Sequence, residues 1–216
     1  MKVLIIITGH QQNLEYKYFG QLLKRCKFLS SDQCEIFIHS NKQDNDISEN
    51  TKYILNKKTI YITNKNAGYR LGGIEAVCDC IEMLNLANEN CEYDYVIHVH
   101  PDVFITDDTI LLNILQKELN TDNVFFVNKS YPDHRTYSFD FFIFKPKKLS
   151  SNIFKGYEGW ENSPEHYIRH ALLSNGINYK IIPRFEGDNW QPRRIDLNLM
   201  WHEHDLTKVD KFINDY

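Results

Sequence analysis

The residues with chemistry to offer stand in four places along the chain. They are His100-Pro101-Asp102 within Tyr93 to Ile105 (YDYVIHVHPDVFI), Asp140 within YSFDFFIF, Glu165 in ENSPEH, and His202-Glu203-His204-Asp205 near the C-terminal end. His100 and Asp102 are two apart on an extended segment and lean the same way. An imidazole beside a carboxylate can share a divalent cation or meet a phosphate-bearing ligand. Asp140 lies among Phe139, Phe141 and Phe142, where an unpaired carboxylate is costly. It must be partnered, turned toward a cleft, or both. Glu165 follows Ser163 and Pro164, a helix-start pattern in which an acid also suits the positive end of the helix dipole. The stretch from Leu199 to Asp205 places His202, His204 and two acids on an extended segment.

A fifth place is defined by backbone. Asn64-Lys65-Asn66-Ala67-Gly68-Tyr69-Arg70-Leu71-Gly72-Gly73 joins a strand to a helix through glycines and a guanidinium. Such a turn lets a ligand approach the main chain, and the helix N-terminus with Arg70 would face an anion. The plainer alternative is a helix cap with Arg70 in solvent.

These residues need elements to hold them. Tyr95, Val96, Ile97, Val99, Val103, Phe104 and Ile105 have the content of a strand buried on both faces, and Pro101 bends or ends its pairing where the polar side chains begin. Lys2 to Thr8 predicts a first strand, with Gly9-His10-Gln11-Gln12-Asn13 as its ligand-side loop. Leu14 to Phe28 predicts a helix, and Cys34 to His39 a second strand ending in His39-Ser40-Asn41. Thr59 to Thr63 predicts a third strand and Ile74 to Leu86 a helix. A helix from Thr106-Asp107-Asp108 to Gln116 is capped by Asp107 or Asp108. Strands follow at Asn123 to Asn128 and Tyr137 to Lys145. Ser163 caps a helix over His166 to Ser174 that Gly176 closes, Tyr179 to Pro183 is a short strand, and the chain ends in a tail. The alternation predicts one α/β domain over residues 1–216, with an open, mixed, mostly parallel sheet flanked by helices and ligand loops at its carboxyl edge.

Composition narrows the partners. With 42% hydrophobic residues and a net charge of -4 that is spread along the chain, there is no basic footprint for nucleic acid. The VLIII run near the start is too short for a membrane span. The five cysteines are odd in number, lack metal-knuckle spacing and follow no secretory leader, so a reduced, cytoplasmic location is expected. His98, alone within a buried run, is expected to be a hydrogen-bonded core residue.

The element order, and the hydrophobic strand that ends in His100-Pro101-Asp102, resemble the GT-A (Rossmann-like) glycosyltransferases, in which the corresponding strand ends in Asp-x-Asp. The resemblance implies transfer of a sugar from a nucleotide-diphosphate sugar to a glycan or other hydroxyl acceptor, assisted by Mn2+ or Mg2+. It implies Asp102 as metal ligand, with His202 or His204 completing the set, and Glu165 as the base that takes the acceptor proton, with Asp140 and Glu161 as lesser candidates. It also implies that donor contacts come from Thr8, Gly9, His10, Ser40, Asn41, Asn66, Arg70 and His100, with Trp160, Tyr137 and Trp190 offering apolar faces to sugar rings. His100 in place of the first Asp is a departure that favours Mn2+ over Mg2+, because imidazole suits the softer ion.

Two other readings compete. The His-x-His of HVHPD, and HPD itself, resemble zinc-dependent hydrolases and deacetylases, which would use His98, His100 and the His202/His204 pair for zinc. The departure from Asp-x-Asp also fits a sugar-nucleotide-binding protein without catalysis.

Overall fold

Residue alternation in the strands decides how the layers form. In β1 (Val3–Thr8), Val3, Ile5 and Ile7 point to one face and Leu4 and Ile6 to the other, and all are buried. A strand that is apolar on both faces must be covered on both. The computed structural model describes residues 1–9, 14–40, 49, 51–52, 54, 58–62, 71–129, 137–150, 152–158, 160–182 and 200–215. The remaining elements are α1 (Glu15–Leu23), β2 (Cys34–Ser40), β3 (Lys58–Ile62), α2 (Gly72–Met83), β4 (Tyr95–Val99), β5 (Val103–Ile105), α3 (Asp108–Glu118), β6 (Phe125–Lys129), β7 (Tyr137–Phe144), α4 (Pro164–Ser174), β8 (Tyr179–Ile181), β9 (Met200–His202) and α5 (Leu206–Asp215).

Seven strands form one sheet in the order β3-β2-β1-β4-β7-β6-β8, and β5 and β9 form a separate two-stranded ladder. β1, β2, β3 and β4 run parallel to one another, β7 is antiparallel to both β4 and β6, and β8 is parallel to β6. This is the mixed, mostly parallel sheet that the sequence predicts. Tyr16 and Phe19 of α1, Leu111 and Leu115 of α3, and Val209 of α5 pack on the face that carries Ile5 and Ile97. Ile74 and Val77 of α2 and Tyr167 and Ile168 of α4 cover the other face, which carries Ile6, Val96 and Phe142. Each fully buried Ile, Leu or Phe contributes about 1.5–3 kcal/mol.

Polar groups in this interior are spent on joints. Asp107 caps α3, accepting from the Thr109 amide at 2.8 Å. Its neighbour Asp108 is buried and accepts from the Phe28 and Leu29 amides at 2.7 and 2.9 Å, tying α3 to the turn after α1. Lys145 is buried, with its ammonium on the carbonyls of Glu118, Leu119 and Thr121 at the end of α3. A cation there suits the negative pole of the helix.

Four sequence expectations change. The run from Tyr93 to Ile105 is two strands, because Pro101 takes the chain out of the main sheet, and β5 pairs with β9 instead. The C-terminal tail is a helix, α5, whose Val209 is buried and whose Asp210 accepts from the Tyr18 hydroxyl at 3.1 Å. α1 stops at Leu23, and Lys24 to Ser30 form turns. α4 starts at Pro164, and Ser163 occupies the cap position with its hydroxyl 2.9 Å from His166 Nδ1, making no side-chain cap bond to a backbone amide.

Candidate active site

The site grows from the turn that ends β4. The His100 amide donates to the Asp140 carbonyl at 2.9 Å, extending the ladder with β7 by one residue, and the Val103 amide donates to the His100 carbonyl at 3.1 Å. That second bond closes a turn with Pro101 in the position a β-turn favours for proline. Gly9, at the tip of β1, has φ +151°, and a Cβ there would stand 3.3 Å from Pro101 Cγ and Cδ. The absence of a side chain lets the backbone at Gly9 lie against this turn.

Past the turn, β5 enters the two-stranded ladder, in which Val103 pairs with His202, and the Glu203 amide donates to the Asp102 carbonyl at 3.3 Å. This register carries the second cluster to the first. His202 Nε2 and His204 Nδ1 each lie 3.3 Å from the same oxygen, Asp102 Oδ2. On the far side, Asp140 Oδ1 is 3.1 Å from His100 Nδ1, and Oδ2 is 3.7 Å from His202 Nδ1. Three imidazoles and two carboxylates from β4, β7, β9 and the adjoining turns thus converge at the carboxyl edge of the sheet.

Electrostatics follows from the packing. Burial opposes ionisation of Asp102, but hydrogen bonding to His202 and His204, with the charges of His202 and His100, outweighs it and holds the carboxyl well below the ordinary range. Burial likewise works against His100 as a cation, while its bond to Asp140 and the charges of Asp140, Asp102 and Glu165 shift the balance upward. Asp140 is buried too, and contact with His100 keeps it lower than usual. Glu165, half-buried in the first turn of α4, is among the acids whose charge favours protonated His100, and α4 packs on the sheet face that carries Phe139 and Phe142.

His98 lies beneath this group, its ring edge-on to His100 at 5.3 Å between centroids. It is fully buried, stacked on Phe142 at 4.5 Å between ring centroids, and its Nε2 is 2.9 Å from the Thr8 hydroxyl. Desolvation holds its pKa well below the ordinary value, so the ring is neutral. His98 is thus a hydrogen-bonded core residue, as its place in a buried run suggests.

A cation fits Asp102, His202 and His204, whose donor atoms all lie within 4.8 Å of one another. A first-row divalent metal holds N and O donors at about 2.0–2.2 Å, which places neighbouring donors roughly 3–3.4 Å apart, close to the 3.3 Å between Asp102 Oδ2 and each ring nitrogen. Asp102 Oδ1 is buried with no hydrogen-bond partner among the described residues, leaving a second acceptor for an incoming ligand.

The other expected positions divide by location. Gly9 lies at the site against Pro101, whereas the Thr8 hydroxyl is turned onto His98 and Ser40 is fully buried at the end of β2. His10, Asn41, Asn66, Arg70 and Trp190 lie outside the described residues. Trp160 packs on Tyr167 and His170, its indole donating to the Ser163 carbonyl at 3.3 Å, and Tyr137 donates to the Tyr179 hydroxyl at 2.7 Å. Glu161 is exposed.

Two features escaped the sequence. His39 Nε2, at the end of β2, lies 3.2 Å from Asp79 Oδ2 of α2. A histidine closing a strand beside the ligand loops was the available signal. Phe139 packs its edge against both His98 and His100, at 5.3 and 5.8 Å between centroids, and a Cβ on Gly73 would come within 2.7 Å of its ring. The start of α2 therefore lies directly behind the histidines.

No protein-family model and no curated protein sequence matches the chain. Solved structures do. A provisionally assigned nucleotide-diphospho-sugar transferase from Desulfovibrio desulfuricans G20 superposes with a TM-score of 0.60 at 12% identity, covering 100% of this chain and 99% of that one. A cytidylyltransferase from Leptospira borgpetersenii gives 0.57 at 17% identity, over 100% and 88%. The mannosyltransferase PcManGT from Pyrobaculum calidifontis, solved with GDP-Man and Mn2+, gives 0.52 at 10% identity, over 85% and 55%. The fold is GT-A-like. At these identities the likeness establishes architecture, which sugar transferases and nucleotidyltransferases share. Among the described residues no helix is long and apolar enough to cross a membrane.

Proposed function

We propose that the chain is a metal-assisted glycosyltransferase that moves a sugar from a nucleotide-diphosphate sugar to an acceptor hydroxyl. The observation that carries this reading is the meeting of Asp102 with His202 and His204, each ring nitrogen 3.3 Å from the same carboxylate oxygen at the carboxyl edge of the parallel strands. Open α/β sheets bind nucleotides at that edge.

Asp102, His202 and His204 would hold the cation, and one carboxylate with two imidazoles suits Mn2+ better than Mg2+. When bound, the cation supplies positive charge to the departing diphosphate. His100, oriented by Asp140, donates to phosphate oxygens on the same side, and the N-terminus of α2 adds oriented amides. Glu165 takes the proton of the acceptor hydroxyl as that oxygen attacks the anomeric carbon. Gly9 gives the donor access to main chain beside the turn.

Nucleotidyl transfer on the same fold is the nearer rival, because a cytidylyltransferase is among the structural neighbours. It must neutralise a triphosphate, and Gly9 to Tyr16 after β1 contains no Lys or Arg. The test is thermal shift and turnover across a panel of nucleotide sugars with Mn2+, Mg2+ or EDTA. Stabilisation by one nucleotide sugar with Mn2+, removed by EDTA, and release of its nucleoside diphosphate in the presence of an acceptor are expected. Pyrophosphate release from a nucleoside triphosphate and a sugar phosphate would replace this reading with nucleotidyl transfer. Zinc in the purified protein with hydrolysis of an N-acetyl sugar would replace it with the hydrolase, and donor binding without turnover would leave a binding protein.

A further inference from the structure

We infer that Asp140 is not a proton acceptor for substrate but a positioning residue, one carboxylate that fixes the orientation of His100 and His202 together. The inference rests on the cation reading of Asp102, His202 and His204. Its own support is the geometry of a fork. Oδ1 lies 3.1 Å from His100 Nδ1, and Oδ2 lies 3.7 Å from His202 Nδ1, so the two oxygens face different rings. His202 turns its other nitrogen, Nε2, to Asp102 Oδ2 at 3.3 Å.

A neutral imidazole has one N–H. If the Nε2 lone pair of His202 is given to a cation beside Asp102, the proton must sit on Nδ1, and the group facing Nδ1 is Asp140. Metal-ligating histidines are held in this manner, with a carboxylate behind the ring fixing its tautomer and tilt. The 3.7 Å separation is longer than a hydrogen bond, and a movement of about half an ångström closes it.

The strand supplies rigidity. Asp140 sits mid-way along β7, its carbonyl bound by the His100 amide at 2.9 Å, between Phe139 and Phe141, which are buried on opposite faces of the sheet. A carboxylate so placed, with one oxygen paired to His100 and the other facing His202, is poorly disposed to accept a proton from an incoming hydroxyl. Glu165, half-buried on the first turn of α4, has no such commitment to a cation ligand.

The test uses the full chain freed of metal with chelator, and Mn2+ as the probe. Mn2+ affinity is measured by calorimetry or by electron paramagnetic resonance for wild type, Asp140→Asn and Asp140→Ala. An amide has a single acceptor oxygen and can serve one ring. Affinity is expected to fall about 10–100-fold on substitution, with Asp140→Ala weaker than Asp140→Asn and the circular dichroism spectrum retained. In parallel, long-range 15N–1H spectra with Cd2+ as a diamagnetic probe in place of Mn2+ should show the His202 proton on Nδ1, downfield and slow to exchange in wild type and exposed to solvent exchange in Asp140→Ala. A role confined to folding would not change that signature. Wild-type Mn2+ affinity in both variants, or a His202 Nδ1 proton whose shift and exchange are unchanged by Asp140→Ala, overturns the inference and leaves the proposed function standing. A wild-type chain that takes up no Mn2+ overturns the cation reading itself, and this role with it.

Discussion

Asp102 and His202 come within 3.3 Å of each other although a hundred positions separate them in the chain. What joins them is the short β5–β9 ladder, in which the residue after Asp102 pairs with His202. The site is thus assembled from the two ends of a fold-long excursion, and its integrity can be tested from either end.

Asp102→Ala should abolish Mn2+ uptake, weakening it by about a hundredfold or more, while the main sheet remains intact. The substituted side chain is at a turn outside the core, and it removes the oxygen on which both ring nitrogens converge. Calorimetry with Mn2+ and a near-ultraviolet circular dichroism spectrum check the two halves. Retained Mn2+ affinity would remove Asp102 from the ligand set.

The other end is held by α5. Val209 is fully buried, Tyr18 donates to Asp210, and the Arg25 guanidinium donates to the Ile213 carbonyl at 2.9 Å. Val209→Asp places an unpaired charge under that helix and should release it from α1. Of the two histidines, His204 is 74% exposed and His202 22%, so His204 depends more on the anchoring of the segment. Mn2+ affinity should fall several-fold in Val209→Asp, and His204 resonances should sharpen before His202 resonances do.

Gly73→Ala tests the support behind the histidines. The added methyl would lie 2.7 Å from Phe139 Cε1, so either that ring or the start of α2 must shift. Overpacking of this kind costs about 1–3 kcal/mol, and Phe139 touches both His98 and His100. The urea midpoint should fall, and nucleotide-diphosphate affinity should fall with it. A variant with wild-type stability and affinity would show that α2 has room to yield.

The outline of this site was legible because strand ends carry their chemistry in sequence order. His100, Asp102 and Asp140 were singled out by polar types inside apolar runs, and the need for Asp140 to have a partner followed from the phenylalanines around it. The break at Pro101 was expected, but its consequence was not, since only pairing between β5 and β9 shows where the chain goes next. α5 was legible but missed: Leu206, Val209, Phe212 and Ile213 recur at helical spacing, among charges that made the segment read as a tail. Its stability as a helix comes from docking on α1 rather than from its own composition. The contact between Gly73 and Phe139 joins segments with no shared local pattern, and no spacing rule reaches across it.

Acid stability should bear the mark of the buried imidazoles. His98 is neutral in the folded chain because burial lowers its pKa, and desolvation also lowers that of His39 against the opposing pull of Asp79. In the unfolded chain both protonate near pH 6.5. Below that pH the unfolded state binds more protons, so the stability present above about pH 6.5 is lost as pH falls, by up to about 1.4 kcal/mol per pH unit for each ring. His100 and His204 are shifted upward and act in the opposite sense, with their stability lost as pH rises through their folded values. Carboxylates with depressed values contribute only near and below pH 4.5. Urea midpoints between pH 6 and 5 therefore isolate the buried pair, and His98→Gln should make that slope shallower. An unaltered slope would mean that the His98 ring is already charged in the fold.

Glu165→Gln separates binding from chemistry. Glu165 follows Pro164 in the first turn of α4, a helix packed in one cluster with Phe139, which contacts His100, and it is not a member of the Asp102, His202 and His204 set. The amide keeps the volume and the helix start but cannot accept a proton. Donor affinity should hold within about twofold, whereas turnover should drop by about 10^2 to 10^4, the contribution of a positioned general base. Glu161→Gln serves as the control, since Glu161 is exposed and its loss should leave turnover unchanged. The informative comparison is the pre-steady-state rate of sugar transfer at saturating donor, because product release can hide a loss in chemistry from the steady state. If Glu165→Gln transfers sugar at the wild-type rate while Glu161→Gln does not, the base lies on the segment before α4, and the geometry of proton removal must be redrawn from there.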